Sequence, residues 1–403
     1  MTRRNRNPGL TTLFLLGLAG ASPAQAAPLL NVSGDLSGPP ATKTERFPFS
    51  IPTADAKITV VLRVDLTAGS ATIRVLDPND TPLRDPNDAL FIKESRDGKL
   101  SASDVVLGPR PAGRCTLEVS TQDALGTWQA LLVEIPPRAA FYPLLLAGPL
   151  MILVALAFTV GWKLWSHDQW RWQWVGAAIW AVGVALKFAC AIPLNRPVLH
   201  ALEAALPHGA YVAAGALYIG LLTGVFEIGV TLAAALIWKK LAAAPNRAVS
   251  IGVGAGGIEA LLVGVAGLVG MLFAFSGLPG AESVLASAAA TVAVTPLAWL
   301  ASPLERIIAI LCHTSSRTLV MLAVARRRAI YFWHGFLLMT AIDAIAGAAY
   351  LTGAVTFRSL WWIELAILPF AIISVPILRW CLHQWPAEPV AAPPVESPAL
   401  PST

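Results

Sequence analysis

Residues 27–138 alternate apolar and polar positions in the runs "KITVVLRVDL", "ATIRVLD", "CTLEVSTQ" and "WQALLVEI", punctuated by Pro, Gly, Asn and Asp. A period of two puts successive side chains on opposite faces, so each run reads as a strand with one face buried. About 110 residues built this way predict a small all-β sandwich or jelly roll. The last two runs, on either side of "DALGT", read as a closing hairpin.

Past Pro137 the alternation gives way to long apolar stretches. They predict an all-α polytopic membrane domain over residues 139–384, with seven spans near 141–163, 172–194, 209–238, 249–275, 303–325, 329–351 and 359–383. A further apolar piece, "VLASAAATVAVTPLAWL" at 284–300, is interrupted by Pro296 and is expected to be peripheral or re-entrant.

Composition agrees with this division. Apolar residues make up 56% and charged residues 13%, and the mean hydropathy is +0.63, so membrane lipid is the expected surrounding for most of the chain. The net charge of +5 sits at span ends and is no nucleic-acid footprint. Basic "MTRRNRN", apolar "LTTLFLLGLAGA" and the small-x-small triplet Ala24-Gln25-Ala26 predict a signal peptide over 1–26, with an uncleaved anchor as the alternative. With the start exported, alternate loops hold Lys163 and Arg171, then Lys239, Lys240 and Arg247, then the arginines at 326–328, then Arg379. That positive-inside bias puts the β domain outside a bacterial cytoplasmic membrane and the C-terminus in the cytoplasm. Residues 385–403 read as a Pro-rich disordered tail.

The β domain offers little chemistry. It contains no His, and Cys115 is its one cysteine, against Cys190, Cys312 and Cys381 in or beside apolar helices, so neither an intrachain disulfide nor a CxxC knuckle is expected. "DPND" occurs at Asp77–Asp80 and again at Asp85–Asp88. It could furnish oxygen ligands for calcium, but it is also an ordinary turn sequence that needs no ion. The stretch from Gly113 to Pro136 loosely resembles the last hairpin of small β-sandwich domains appended to secreted peptidases. A protein or a glycan ligand is the expected partner of the exported domain, and which one stays open.

The membrane half is where charge becomes informative. "GVGAGGIEALLVG" (252–264) puts Glu259 inside a glycine-rich apolar run, where an unpaired charge costs roughly 2.5–3.5 kcal/mol on insertion scales. Counted from the expected cytoplasmic ends, Glu227, Glu259, His313, Asp343 and Lys187 lie 10 to 15 residues in. At about 1.5 Å per residue they share a depth near 15–22 Å, which predicts that they converge. Thr223 and Thr231 lie on the face of Glu227, and Arg306, His313 and Arg317 line one face of the fifth span. Each group taken singly has a structural alternative, as a protonated donor or as an ion-pair partner for Lys187 or Arg317. His334, half a turn out of phase with Asp343 and near a span end, is read as interfacial.

The ordered set "TGVFEIGVTLAA", "GVGAGGIEALLVG", "ERIIAILCHTSSRTLVML" and "MTAIDAIAG" resembles the YhfC family of intramembrane proteases, related to the CAAX-processing and bacteriocin-processing membrane peptidases. The resemblance implies that Glu227 and His313 activate water, that Glu259 and Asp343 support them as metal ligands or proton partners, and that the substrate is a membrane protein or peptide. Lys187, Arg317, Thr223 and Thr231 would support the site. A divalent metal such as zinc, with Glu227, Glu259 and His313 as candidate ligands, and a metal-free glutamate mechanism both stay open. The chain departs from the family pattern at Ile228, Thr231, Ala255 and Met339, where an acid, an Arg, a His and a His are expected. That loss of polar groups keeps a second class in play: a non-catalytic sensor, scaffold or transporter with a structural charge network.

Overall fold

The computed structural model describes residues 27–36, 42–53, 56–85, 88–96, 98–107 and 112–386. The expected signal peptide and nearly all of the expected tail lie outside the described residues.

Six strands form the N-terminal layer: β1 (Pro28–Asp35), β2 (Lys43–Ile51), β3 (Lys57–Leu76), β4 (Ile92–Arg96), β5 (Lys99–Leu107) and β6 (Gly113–Glu134). β3 and β6 pair antiparallel along nearly their whole lengths. β2 pairs with the first half of β6, and β1 with its second half. In the same way β5 takes the first half of β3 and β4 takes the second. Two four-stranded layers, β1-β6-β3-β5 and β2-β6-β3-β4, thus share the two long strands. The sheet folds over itself, and one core holds Phe49 and Ile51 of β2, Val60 and Leu62 of β3, and Leu117 and Trp128 of β6.

The expected closing hairpin is corrected here. Residues 113–134 are one strand that bends between Asp123 (φ 48°) and Gly126 (φ 139°). A Cβ on Gly126 would lie 2.0 Å from the Asp65 carbonyl, so the bend demands glycine. The register shifts of β3 against β6 fall opposite, between Leu66 and Ser70.

Period two also explains how the layer sits on the helices. Ile58, Val60, Leu62 and Val64 face the sandwich core. Val61, Leu131 and Val133 face the other way, into a cluster with Phe141, Ala274, Leu285 and Phe357. A strand buried on both faces reads as a continuous apolar run, as in "ALLVEI".

Among the described residues, seven helices are long and apolar enough to cross a membrane. With the 3₁₀ turns of Arg138–Leu146 leading into the first, they are α1 (Ala147–Ser166), α2 (Trp170–Ala205), α3 (His208–Ile237), α4 (Pro245–Phe275), α6 (Ala298–Arg326), α7 (Ala329–Leu351) and α8 (Trp361–Gln384). The piece expected to be peripheral forms the short helix α5 (Ala281–Val294), which packs against the β layer and ends before Leu297 takes a left-handed conformation. α2 runs eleven residues beyond its expected end at 194, with Pro193 and Pro197 inside the helix. At 36 residues it is about 54 Å long, well over the roughly 30 Å of a hydrocarbon core.

α6 is the central helix, with 78% of its apolar window buried against 17–39% for the other six. Lipid tails are as apolar as leucine, so close approach between small residues drives such packing. Gly254 meets α2, where a Cβ would stand 2.0 Å from the Gln173 carbonyl, and Gly252 and Gly256 meet α6 at Thr314 and Ile310. The glycine-rich run before Glu259 therefore stays helical and allows close approach.

Candidate active site

Four helices deliver the candidate side chains to α6. On α3 the segment Gly224–Ile228 winds as a single π-helical turn, and Glu227 sits in it. Turns of this kind widen a helix locally and are common at functional positions. The Thr231 hydroxyl donates to the Glu227 carbonyl at 2.7 Å, so Thr231 braces the widened turn and does not touch the carboxylate. α3 lies tight on α7 because Gly220 and Gly224 face the Thr340 carbonyl and hydroxyl.

His313 stands at the centre. Its Nε2 lies 2.9 Å from Glu259 Oε2 and its Nδ1 lies 2.6 Å from Arg317 Nη1. A guanidinium only donates, so Nδ1 is the acceptor and Nε2 carries the proton that goes to Glu259. Glu259 also receives Trp180 Nε1 at 2.9 Å and Arg306 Nη1 at 2.6 Å. Arg306 is itself paired with Glu305. On the other flank Arg317 Nη2 reaches Glu227 Oε2 at 3.2 Å, and Lys187 bridges Glu227 and Asp343 at 3.3 and 3.2 Å. Lys187 donates to the Thr223 hydroxyl at 2.7 Å, and Thr223 bonds Asp343.

The result is one continuous polar chain through the membrane domain: Glu305, Arg306, Glu259, His313, Arg317, Glu227, Lys187, Asp343. Four carboxylates face three cations around a neutral imidazole. Glu227 and His313 are almost fully buried and Arg317 is completely so. Burying such charges costs several kcal/mol per ion unless each is paired, which is why the chain is unbroken.

The convergence expected from depth is what the structure shows. Glu227, Glu259 and His313 each offer a ligand atom, and these atoms lie within 4.8 Å of one another. Two carboxylates and an imidazole are a donor set suited to zinc and its neighbours. The outer oxygens are already oriented by Arg306 and Lys187, as ligands of bound ions commonly are. The residues present thus fit a divalent ion. Asp343 stands one partner away, behind Lys187. His334 is exposed and outside the chain of contacts.

Trp180, Glu305 and Glu364 went unnoticed in the sequence. Trp180 lies seven residues before Lys187, two turns along the same face of α2, and that spacing was the available signal. Glu364 is buried near the start of α8, with one carboxyl oxygen lacking a partner among the described residues. Ile228 and Met339, two of the departures from the family pattern, pack with Cys312 and Phe336 in one buried apolar cluster beside the site.

The first "DPND" segment forms a turn, and the two ends of the second, Asp85 and Asp88, are described. Asp77 Oδ1 accepts from the amides of Asn79 and Thr81, both at 2.8 Å, and Asp85 Oδ1 accepts from Ala89 N at 2.9 Å. Asp80 and Asp88 hold the left-handed positions, which Asp tolerates better than most residues.

Among curated proteins there is no match. A family model, that of the YhfC intramembrane metalloproteases, matches residues 150–367, from early α1 into α8, which is over half of the chain and leaves out the β layer. The matched span takes in Glu227, Glu259, His313 and Asp343, and the chain belongs to the YhfC intramembrane metalloprotease family.

Proposed function

We propose that the protein is an intramembrane peptidase of a bacterial cytoplasmic membrane, hydrolysing peptide bonds of membrane-associated substrates at the Glu227–Glu259–His313 cluster. The single observation that carries this is the meeting of those three side chains, from α3, α4 and α6, inside a domain of membrane-spanning helices. Zinc is the ion best suited to two carboxylates and one imidazole, and when bound it supplies Lewis-acid polarisation of the scissile carbonyl. Without an ion on Glu227, that carboxylate takes a proton from the attacking water, general-base work worth about 10²–10⁴-fold in rate. His313 orients that water or the ion, and Glu259 holds the imidazole in its tautomer. Lys187, Asp343 and Thr223 anchor Glu227 from the far side.

The β domain presents the substrate in this reading. A cavity of about 1700 Å³ separates the layer from the helix ends, lined by Arg63 and Ser101 on one side and by Arg196, His200, Tyr211 and Leu351 on the other. Its floor is made by α2, α3 and α7, the helices that bear Lys187, Thr223 and Asp343. The cavity is too large for a typical small-molecule site and suits an extended segment of a protein substrate.

The test is co-expression with a panel of single-span membrane proteins tagged at both ends. Cleavage of at least one, lost on Glu227→Gln and on His313→Ala with protein levels unchanged, is the expected result. Cleavage unaffected by either substitution would overturn the assignment.

A second reading, a non-catalytic sensor, scaffold or transporter, draws on the fact that each carboxylate of the cluster already has a cationic partner. It predicts no cleavage of any panel member, and destabilisation as the sole effect of the same substitutions.

A further inference from the structure

Arg317 occupies an unusual position. It is completely buried at the midpoint of the polar chain, and its Nε has no partner among the described residues. Its two other nitrogens are directed at two of the three candidate ligands, Nη1 at His313 Nδ1 (2.6 Å) and Nη2 at Glu227 Oε2 (3.2 Å).

A neutral imidazole has one lone pair, and a metal ion requires it. In this structure that lone pair is on Nδ1 and is committed to Arg317, while Nε2 spends its proton on Glu259. An ion arriving at the cluster needs the same electron pairs the guanidinium already holds. Keeping both would set a dication against a fixed cation in a buried site, where like charges repel strongly. With its Nε unpaired, the guanidinium is held through its two terminal nitrogens.

We propose that Arg317 is the resident cation of this cage and that a divalent ion binds only by displacing it from His313 and Glu227. The proposal rests on the reading of the cluster as a metal centre, and it assigns Arg317 as the residue that sets the centre's affinity. Lysine, a point charge on a flexible stem, cannot bridge Nδ1 and a carboxylate as a planar fork does.

The experiment uses the full chain in detergent, stripped with chelator, and Co²⁺ as the probe, read by calorimetry and by the visible absorption of the bound ion. Arg317→Gln is expected to bind Co²⁺ about tenfold or more tightly than the unsubstituted protein, and Arg317→Lys about threefold more tightly. Adding His313→Ala to Arg317→Gln is expected to abolish the gain, which locates the ion. Should Arg317→Gln fail to fold, Arg317→Lys decides alone. Equal or weaker binding by the folded variants, with the unsubstituted protein binding well, would overturn the role of Arg317 and leave the metal centre standing. No binding by any of them would overturn both.

Discussion

His313 Nε2 and Glu259 Oε2 stand 2.9 Å apart, joining α6 to α4 at the centre of the membrane domain. The contact depends on Arg306, which grips the other oxygen of Glu259. Removing one member of such a buried set strips its neighbours of a charge partner or a hydrogen bond, at a cost of about 3–5 kcal/mol. Glu259→Leu is therefore expected to lower the unfolding midpoint sharply in a detergent thermal melt. Glu259→Leu combined with Arg306→Leu is expected to cost less than the sum of the two single changes, because they share one interaction. Additive losses would show that the pair is not coupled.

Two glycines of α3 test the tight seat against α7. A Cβ on Gly220 would meet the Thr340 carbonyl at 2.2 Å, whereas one on Gly224 would meet the Thr340 hydroxyl and the Phe336 ring at 2.4 and 2.8 Å. Backbone cannot turn aside and side chains can, so Gly220→Ala is expected to destabilise more than Gly224→Ala, by about 1–3 kcal/mol of overpacking. Gly229→Ala, whose nearest neighbour is 3.9 Å away, serves as the neutral comparison. Reversible unfolding in mixed detergent reads all three, and equal losses would sink the packing account.

The β layer is held on the helices by bonds of unequal worth. Lys57 and Glu282 form an exposed ion pair, and such pairs contribute about 0–1 kcal/mol. Arg63 donates to the carbonyls of Tyr350 and Leu351 at the end of α7, and Asn31 to that of Phe357. Hydrogen bonds from a charged donor contribute about 1.5–3 kcal/mol. Hydrogen exchange over residues 348–357 is expected to speed up clearly in Arg63→Ala and hardly at all in Lys57→Ala.

Cys115 gives a pH-dependent readout for the β layer. Burial, with a smaller effect from Asp77, pushes its thiol up to about 11 from the ordinary 9.0. The thiol is the form favoured in the folded layer, so this contribution to stability is complete below about 9 and is lost as pH rises toward 11. Maleimide labelling of Cys115 at pH 8 is expected to be slow in the folded protein and fast in denaturant. A Cys115→Ala variant should lose less stability between pH 9 and 11, and identical pH profiles would refute the assignment.

Much of this architecture is legible along the chain because the signals are local. Span length and apolarity mark the seven helices, and period two marks the strands. Insertion cost singles out Glu227, Glu259 and Asp343 as groups that need partners. The reading failed where a local pattern has two tertiary outcomes. "DALGT" bends a chain equally well into a hairpin or within one long strand, and the pairing of β1 and β2 with separate halves of β6 selects the latter. The second span, expected to end near 194, continues as helix to Ala205 with Pro193 and Pro197 inside it.

What the amino-acid order determined by itself is which side chains are costly in the membrane and at what depth, since both follow from one helix at a time. Which of them meet was decided only in three dimensions. Arg317 reaches Glu227 across 90 residues of chain, and Lys187 reaches Asp343 across 156. Those contacts depend on how α2, α3, α4 and α7 are rotated against α6. That rotation is set by glycine contacts between helices and by the widened turn at Glu227, and no periodicity within a single helix contains it.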